Sequence, residues 1–98
     1  MTEAYWIAHV TVTDPEAYKG YQAVAPAAFA KYGAVFLARG GTADTPEGKA
    51  YERHVVIRFE SYAAARACYH SPEYAAARAA RAGACDAHIV IVEGLEAS

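Results

Sequence analysis

The order of apolar and polar positions along the chain predicts a βαββαβ domain. Four short segments rich in Val, Ile and aromatic residues have the pattern of strands. Between them, apolar residues recur every three or four positions, which predicts helices. The second helical segment restarts at Ser71-Pro72, so we expect two consecutive helices there. The predicted elements are β1 (5–12), α1 (15–32), β2 (34–39), β3 (51–59), α2 (62 to about 70), α3 (72 to about 82) and β4 (87–93).

The predicted helix ends carry residues suited to the backbone there. Asp14-Pro15-Glu16 and Ser71-Pro72-Glu73 each supply a side-chain acceptor, a proline at the first helical position and an acid near the positive end of the helix dipole. Gly33 and Gly83 are the expected stops. Pro26 falls inside α1, where its missing N–H is expected to kink or split the helix.

Two βαβ halves with right-handed crossovers give an antiparallel four-stranded sheet in the order 4-1-3-2, with the helices on one face. This is the ferredoxin-like α+β fold, here a single domain over residues 1–98. Residues 40–49 form a long hairpin loop. Within this order we expect β1 and β3 to be parallel and β4 antiparallel to β1.

Alternation along the strands separates the two sheet faces. An apolar set is expected beneath the helices: Trp6, Ala8, Val10, Val12, Val55, Ile57, Phe59, Ile89 and Ile91. The other face carries a mixed set: Tyr5, Ile7, His9, Thr11, His54, Val56, Arg58, His88, Val90 and Val92.

That second face is too apolar to be left in water. Ile7, Val56, Val90 and Val92 contribute ~1.5–3 kcal/mol each if buried, or roughly 6–12 kcal/mol together. Association costs ~4–15 kcal/mol in entropy, so loops or helix ends must add contacts. We therefore expect a homodimer packed through the open sheet face.

Three histidines on this face raise the question of a metal site. With β1 and β3 parallel, Arg58 lies level with His9, and His54 is about 13 Å away at ~3.3 Å per residue. Such a distance excludes a metal shared by all three histidines, so we expect none. His88 lies near the end of β1, where it can join His9 and Arg58. The cluster is either a polar patch in the dimer interface or a general base, His9, beside a cation.

Eight tyrosines are many for 98 residues. They suit helix–sheet packing, or a pocket for an aromatic ligand. Tyr74 and Arg78 share one side of α3, which is either a solvated basic face or, with Tyr69, the border of a cavity near the helix break. Tyr18, on the buried side of α1, is a further candidate for binding.

Arg39 ends β2 just before Gly40-Gly41. A strand-end arginine can pair with a carboxylate across the hairpin, such as Glu52, or hold the anionic group of a ligand. The candidate substrate-binding residues are therefore Tyr18, Arg39, Tyr69, Tyr74 and Arg78.

Charge and motifs narrow the function classes. The net charge is −2, and no basic stripe is present, which argues against nucleic acid as a partner. No apolar run approaches the ~20 residues that span a bilayer. Cys68 and Cys85 form neither a disulfide framework nor a metal motif, so we expect a cytoplasmic protein. Nucleotide and phosphate-loop fingerprints are missing, and no cofactor is expected; haem ligated by His70 is a distant alternative.

Four segments carry a resemblance to a known family: AYWIAHVTVTDPEAY (4–18), PAAFAKYGAVFLARGG (26–41), ERHVVIRF (52–59) and YHSPEYAAAR (69–78). They resemble the family called domain of unknown function 1330, which belongs to the ferredoxin-like dimeric α+β barrels. The resemblance covers nearly the whole chain. It implies the fold and a dimer but no activity, because the family has no established one.

Two positions depart from the family. Arg58 stands where an acid is usual, and Cys68 where an aromatic is usual. Relatives by fold include cofactor-free monooxygenases, isomerases, haem-binding enzymes and plain dimeric binders, among which fold cannot choose. We expect a dimeric protein with a pocket for a small aromatic or carbonyl-bearing acid. It is either a cofactor-free enzyme, with His9 as base and the tyrosines and arginines holding an enolate-like oxygen, or a non-catalytic binding or stress-response module.

Overall fold

Four strands and three helices follow the predicted order in the computed structural model, which describes residues 2–96. Their boundaries differ from the predicted ones by two residues or fewer. The elements are β1 (Ala4–Val12), α1 (Pro15–Lys31), β2 (Val35–Arg39), β3 (Arg53–Phe59), α2 (Tyr62–Tyr69), α3 (Pro72–Ala80) and β4 (Cys85–Glu93).

The strands form one sheet in the order β2-β3-β1-β4, which is the predicted order read from the other edge. All three neighbouring pairs are antiparallel. The expectation that β1 and β3 are parallel is therefore wrong. The crossover through α1 returns β2 in the direction of β1, and the β2–β3 hairpin then reverses the chain. This correction changes which side chains on β1 and β3 lie level with each other.

The helix starts are capped as predicted. Asp14, Ser61 and Ser71 each accept a hydrogen bond from the backbone N–H three residues on, at 3.2, 3.0 and 3.1 Å. The Ser71 hydroxyl also donates to the carbonyl of Cys68 at 2.7 Å. A single buried serine therefore ends α2 and begins α3, which fixes the break between them.

Helix α1 runs unbroken past Pro26, so the predicted split is wrong. Proline removes the hydrogen bond that an amide at position 26 would give to the Gln22 carbonyl. Ala25, Ala28 and Phe29 are buried against the sheet and hold both sides of this defect in register. Packing thus outweighs one lost hydrogen bond.

The helices cover one face of the sheet, where the core lies. Trp6 is its centre, with ring centroids of Phe29, Phe59 and Tyr74 at 5.2, 5.9 and 4.9 Å. Trp6, Ala8 and Val10 are buried as predicted, and Val12 is partly buried. No helix in residues 2–96 is long and apolar enough to cross a membrane.

The opposite side of the sheet, which we call the open face, carries no helix. Val90 and Val92 on β4 are 41% and 43% exposed, and Leu37 in the bulge of β2 is 51% exposed. Ile7 and Val56 lie between these strands and are only partly covered. The apolar surface predicted for this face is therefore present.

Candidate functional site

A cavity of about 430 Å³ lies between α1 and the helix-covered face of the sheet. We call it the α1 cavity. Its size is in the range of small-molecule sites. Its walls are mostly aromatic and aliphatic, with polar groups from Gln22 and two arginines. The lining residues are Trp6, Ala8, Val10, Tyr18, Tyr21, Gln22, Ala25, Pro26, Phe29, Ala30, Ala34, Phe36, Arg39, Arg53, Val55 and Ile57.

Two of the candidate substrate-binding residues, Tyr18 and Arg39, line the α1 cavity. Tyr69, Tyr74 and Arg78 are not among its lining residues. The α1 cavity is therefore not the cavity expected near the break between α2 and α3, which stays a prediction. His9 lies on the open face, on the other side of the sheet, so the sheet separates it from the cavity.

Arg39 reaches the cavity because it pairs in register with Val55, whose side chain points toward the helices. Its guanidinium carbon lies 4.4 Å from the centroid of the Phe36 ring. The expected pairing with Glu52 does not form, because Glu52 precedes β3 and its backbone N–H donates to the Thr11 hydroxyl at 3.3 Å. Stacking on Phe36 orients Arg39 without neutralising it.

Arg53 is a second arginine of the site, and sequence reasoning missed it. It begins β3 and is paired with Val10. The alternation that places Val55 and Ile57 under the helices also places Arg53 there, so the signal was present. Arg53 lies at the end of this apolar strand face, where it lines the cavity.

Gly40 follows Arg39 and lies beside the Arg53 side chain. Its φ is +70°, in the left-handed region that favours glycine. A Cβ added there would lie 3.4 Å from the guanidinium carbon of Arg53. A larger residue would strain the turn after Arg39, whereas its Cβ would only come into van der Waals contact with the Arg53 side chain.

Both arginines lack an acidic partner within the described residues. The four ion pairs found there join Lys19 to Glu16, Lys31 to Glu73, Lys49 to Asp86 and Arg58 to Glu3. Arg53 is half-buried and Arg39 is exposed at the rim. Positive charge beside an apolar cavity is the arrangement that attracts an anion with an apolar body.

The tyrosines of the cavity are neutral hydrogen-bonding groups. Tyr18 stacks on Tyr21 with centroids 5.2 Å apart, and the Tyr21 and Tyr74 hydroxyls lie 2.8 Å apart. Burial raises the pKa of Tyr18, and burial together with the neighbouring Tyr74 raises the pKa of Tyr21. Both phenols therefore stay protonated at neutral pH. Their hydroxyls can hydrogen-bond a ligand but do not serve as bases.

Pro26 leaves the backbone carbonyl of Gln22 available as a hydrogen-bond acceptor. It has no N–H to give to the carbonyl of Gln22, and both residues line the cavity. The Gln22 carbonyl therefore lacks its usual helical donor, the amide four residues on. A ligand hydroxyl is a suitable donor for it.

The candidate residues of α2 and α3 pack on one another and on the core. Tyr74 is completely buried, and its ring contacts those of Trp6 and Tyr69 at 4.9 and 5.5 Å. Arg78 stacks over Tyr69 with its guanidinium carbon 4.8 Å from the ring centroid. In this structure Tyr69, Tyr74 and Arg78 hold one another and the core. Their role in ligand binding stays a prediction.

On the open face, His54, His9 and His88 lie side by side on β3, β1 and β4. We call them the histidine row. The Nδ1 atoms of His9 and His54 are 2.8 Å apart, and the rings of His9 and His88 have centroids 6.2 Å apart. The predicted 13 Å between His9 and His54 is wrong because β1 and β3 are antiparallel. The pKa of His9 is lowered, chiefly by burial and to a smaller extent by the neighbouring rings of His54 and His88.

The prediction that Arg58 lies beside His9 is wrong. Arg58 pairs in register with Tyr5, at the far end of β1, and its Nε lies 3.2 Å from a Glu3 carboxylate oxygen. Histidines therefore take the place expected for this cation. Within residues 2–96, no three His, Cys, Asp or Glu side chains are arranged to hold a metal ion.

Together, the antiparallel sheet in the order β2-β3-β1-β4 and the helices on one face define a ferredoxin-like α+β protein with a cavity beneath its first helix. Within this class the chain belongs to the family named Domain of unknown function (DUF1330), whose model matches residues 3–95. The match covers nearly the whole domain and agrees with the resemblance read from the sequence.

Solved structures share the fold at low identity. A protein of unknown function from Rhodopseudomonas palustris is 17% identical with a TM-score of 0.78, over 98% of this chain and 85% of that one. SnoaB, a cofactor-independent oxygenase from Streptomyces nogalater, is 15% identical with a TM-score of 0.67, over 99% and 97%. A dimeric protein of unknown function and ferredoxin-like fold from Bacteroides fragilis is 17% identical with a TM-score of 0.62, over 94% and 96%.

At these identities the similarity establishes the fold alone. No curated protein matches the chain. The function must therefore be argued from the cavity and the open face.

Proposed function

We propose that the protein binds a small aromatic or carbonyl-bearing acid in the α1 cavity. The observation that carries this proposal is that two arginines, Arg39 and Arg53, line a cavity of about 430 Å³ with mostly apolar walls. An aromatic ring suits the walls, and a carboxylate or enolate suits the guanidinium groups. Tyr18, Tyr21 and the Gln22 carbonyl supply weaker polar contacts.

The aromatic half of the ligand is suggested by the rings that surround the space. Trp6, Phe29 and Phe36 present large apolar surfaces, and Tyr18 and Tyr21 are stacked along one wall. Such rings gain about 0.5–1.5 kcal/mol per aromatic contact beyond simple burial. A planar ligand is therefore favoured over a flexible aliphatic acid of similar volume.

The test uses the protein's single tryptophan, because Trp6 lines the cavity. 2-Naphthoate is titrated into the protein while Trp6 fluorescence is followed, and the uncharged 2-naphthalenemethanol serves as the matched ligand. Arg53→Gln and Arg39→Gln each weaken naphthoate binding by about tenfold to hundredfold, since a hydrogen bond to a charged group contributes about 1.5–3 kcal/mol. Neither variant changes binding of the alcohol.

Arg66→Gln is the matched control variant. Arg66 is exposed on α2, with its guanidinium 5.9 Å from the Tyr62 ring, and it is not among the residues that line the cavity. Its substitution leaves naphthoate affinity unchanged. If all three variants bind naphthoate equally, or if naphthoate and the alcohol bind wild-type protein equally, the proposed acid site is wrong.

A catalytic use of the cavity is the second candidate. The fold is shared with SnoaB, a cofactor-independent oxygenase, at a TM-score of 0.67. None of the described residues that line the cavity is His, Asp or Glu, and its tyrosines stay protonated. An isomerase, which must move a proton back and forth, lacks a base there. The proposed role of His9 as that base requires a site on the open face.

An oxygenase needs no base in the cavity if its substrate enters already deprotonated, as an anion. In that reaction an activated CH⁻ group, one O₂ and one proton give a C=O group and water, so that one oxygen atom enters the substrate. The arginines would hold the anion, as in other electrostatic stabilisation of enolates. The test is oxygen uptake by the protein with an acidic phenolic ketone, which should be lost in Arg53→Gln. If the ketone binds without oxygen uptake, the protein is a binding module and not an oxygenase.

We further propose that two copies pair through the open face. Val35, Val90 and Val92 are each more than two-fifths exposed and lie on this side of the sheet, and Leu37 in the bulge of β2 is also exposed. Full burial of side chains of this size contributes ~1.5–3 kcal/mol each, comparable in sum with the entropy cost of association. The solved structure from Bacteroides fragilis, described as dimeric, has the same fold. Sedimentation velocity at micromolar concentration gives a dimer if the proposal holds and a monomer if it does not.

A further inference from the structure

The histidine row lies next to the apolar centre of the open face. Ile7, Val56 and Val90 form one cross-strand row, and the histidine row is the next one along the same three strands. Two residues along a strand span about 7 Å, so the two rows touch. Any second copy that covers the apolar row also approaches His9. In a two-fold pairing the same row enters from both partners.

The contact between His9 and His54 has a definite proton requirement. Their Nδ1 atoms are 2.8 Å apart, which is a hydrogen bond only if one nitrogen donates and the other is unprotonated. When both rings are protonated, both nitrogens carry hydrogens and the two rings repel. His88 adds a third imidazole on the other side of His9. Protonation of both His9 and His54 therefore replaces their hydrogen bond with repulsion between like charges.

We propose that the histidine row makes pairing of two copies through the open face proton-dependent, so that the dimer forms at neutral pH and separates on mild acidification. This inference rests on the proposed pairing. Its partner is a second copy of this chain, and its effector is the proton.

Other charged groups face the row and must be weighed. The loop between β2 and β3 brings Asp44, Glu47 and Lys49 to the recess that His9 and His54 line, with Tyr51 at 5.9 Å from His9. On β4, Asp86 pairs with Lys49, and Arg58 on β3 pairs with Glu3 at the far end of the face. The carboxylates of Asp44 and Glu47 favour protonated histidines. Burial and the two neighbouring rings outweigh them, and the pKa of His9 is lowered.

The direction of the pH effect follows from this lowering. Because the pKa of His9 in the folded chain lies below its ordinary value of about 6.5, the unfolded chain binds the proton more readily. The stability that His9 contributes is complete above that value and is lost as the pH falls toward the folded-state pKa. Covering the row with a second copy desolvates the rings further, so dissociation of the dimer follows the same direction.

The test measures the dimer dissociation constant by sedimentation velocity at pH 7.5 and 5.5, a window in which carboxylates remain largely ionised. EDTA is present throughout, so that no metal bridges two histidine rows. In wild-type protein the dissociation constant rises by about tenfold or more, since a one-unit pKa change on association gives tenfold. Circular dichroism at both pH values checks that the fold is retained.

The decisive variant replaces the whole row: His9→Gln, His54→Gln and His88→Gln together, which keeps polar side chains but removes titration. Its dissociation constant is the same at both pH values. His70→Gln is the matched control, because His70 is exposed at the end of α2 beside Tyr69 and keeps the wild-type pH response. If the triple variant is too weakly folded to compare, His88→Gln alone reduces the pH response.

The outcomes separate the two proposals. A wild-type dimer whose dissociation constant does not change with pH overturns the proton dependence and leaves the pairing standing. A monomer at both pH values overturns the pairing, and the proton dependence with it. A triple variant that keeps the full wild-type pH response assigns that response to other groups and overturns the role of the histidines.

Discussion

Helices α1 and α3 start with the same capping residues but differ in the packing beneath them. Asp14-Pro15-Glu16 starts α1 and Ser71-Pro72-Glu73 starts α3 with the same capping chemistry, and both helices lay tyrosines on the sheet. Beneath α3 the ring of Tyr74 is completely buried and packs on the rings of Trp6, Phe29 and Tyr69. Beneath α1 the rings of Tyr18 and Tyr21 stand along one wall and leave a cavity. Local sequence sets where a helix begins, whereas the fit of particular rings decides whether space remains under it.

The largest expected effect concerns the filled half. Tyr74→Ala removes a fully buried ring that contacts Trp6, Phe29 and Tyr69, and large-to-small changes of this kind cost about 3–5 kcal/mol. Urea denaturation should therefore show a large fall in the free energy of unfolding. Tyr62→Ala, at an exposed position of α2, should change it by about 0.5 kcal/mol or less. Similar losses in both variants would mean that the half beneath α3 is not close-packed.

A matched pair of alanines compares the halves directly. Ala77 on α3 and Ala25 on α1 are both buried and helical, so Leu at either position has nearly the same helix propensity as Ala. Ala77→Leu overpacks a filled region and should cost about 1–3 kcal/mol. Ala25→Leu extends into the α1 cavity and should cost no stability.

The same pair separates stability from binding. Ala25→Leu takes up space that a ligand needs, so its affinity for 2-naphthoate should fall by about tenfold or more even though the fold is as stable as the wild type. Ala77→Leu should bind naphthoate normally in the fraction that remains folded. Equal loss of stability in both variants would contradict a difference in packing between the two halves.

The sequence predicted which face of the sheet each side chain lies on better than it predicted which residues of neighbouring strands lie side by side. Alternation in β1 assigns Trp6, Ala8 and Val10 to the core whichever way the neighbouring strands run. The level of His9 relative to His54 depends on strand direction, and taking β1 and β3 as parallel separated two side chains that are in hydrogen-bonding contact. The face on which a side chain lies follows from alternation within its own strand, whereas the residues beside it on neighbouring strands depend on the direction of those strands.

The cavity could not be predicted in the same way. Tyr18 and Tyr74 are the same residue type, and both are buried on the inner side of a helix with a proline at its start. Whether a ring fills or borders a space depends on residues far away in the sequence: Tyr74 of α3 packs on Trp6 of β1 and on Phe29 of α1. Arg53 was within reach of the sequence, because alternation from Ile57 already places it on the inner face.

The smallest expected effect lies where the two halves meet, at the hydrogen bond between the Tyr21 and Tyr74 hydroxyls. A double-mutant cycle with Tyr21→Phe and Tyr74→Phe should give a coupling of about 0.5–1.5 kcal/mol near neutral pH. The pKa of both phenols is raised, chiefly by burial. In the unfolded chain tyrosines ionise near pH 10, so unfolding releases protons at high pH and wild-type stability should fall as the pH rises above about 10. The double Phe variant should lose less over the same range. A coupling near zero, with equal alkaline loss in both proteins, would show that the cavity wall and the filled half are independent.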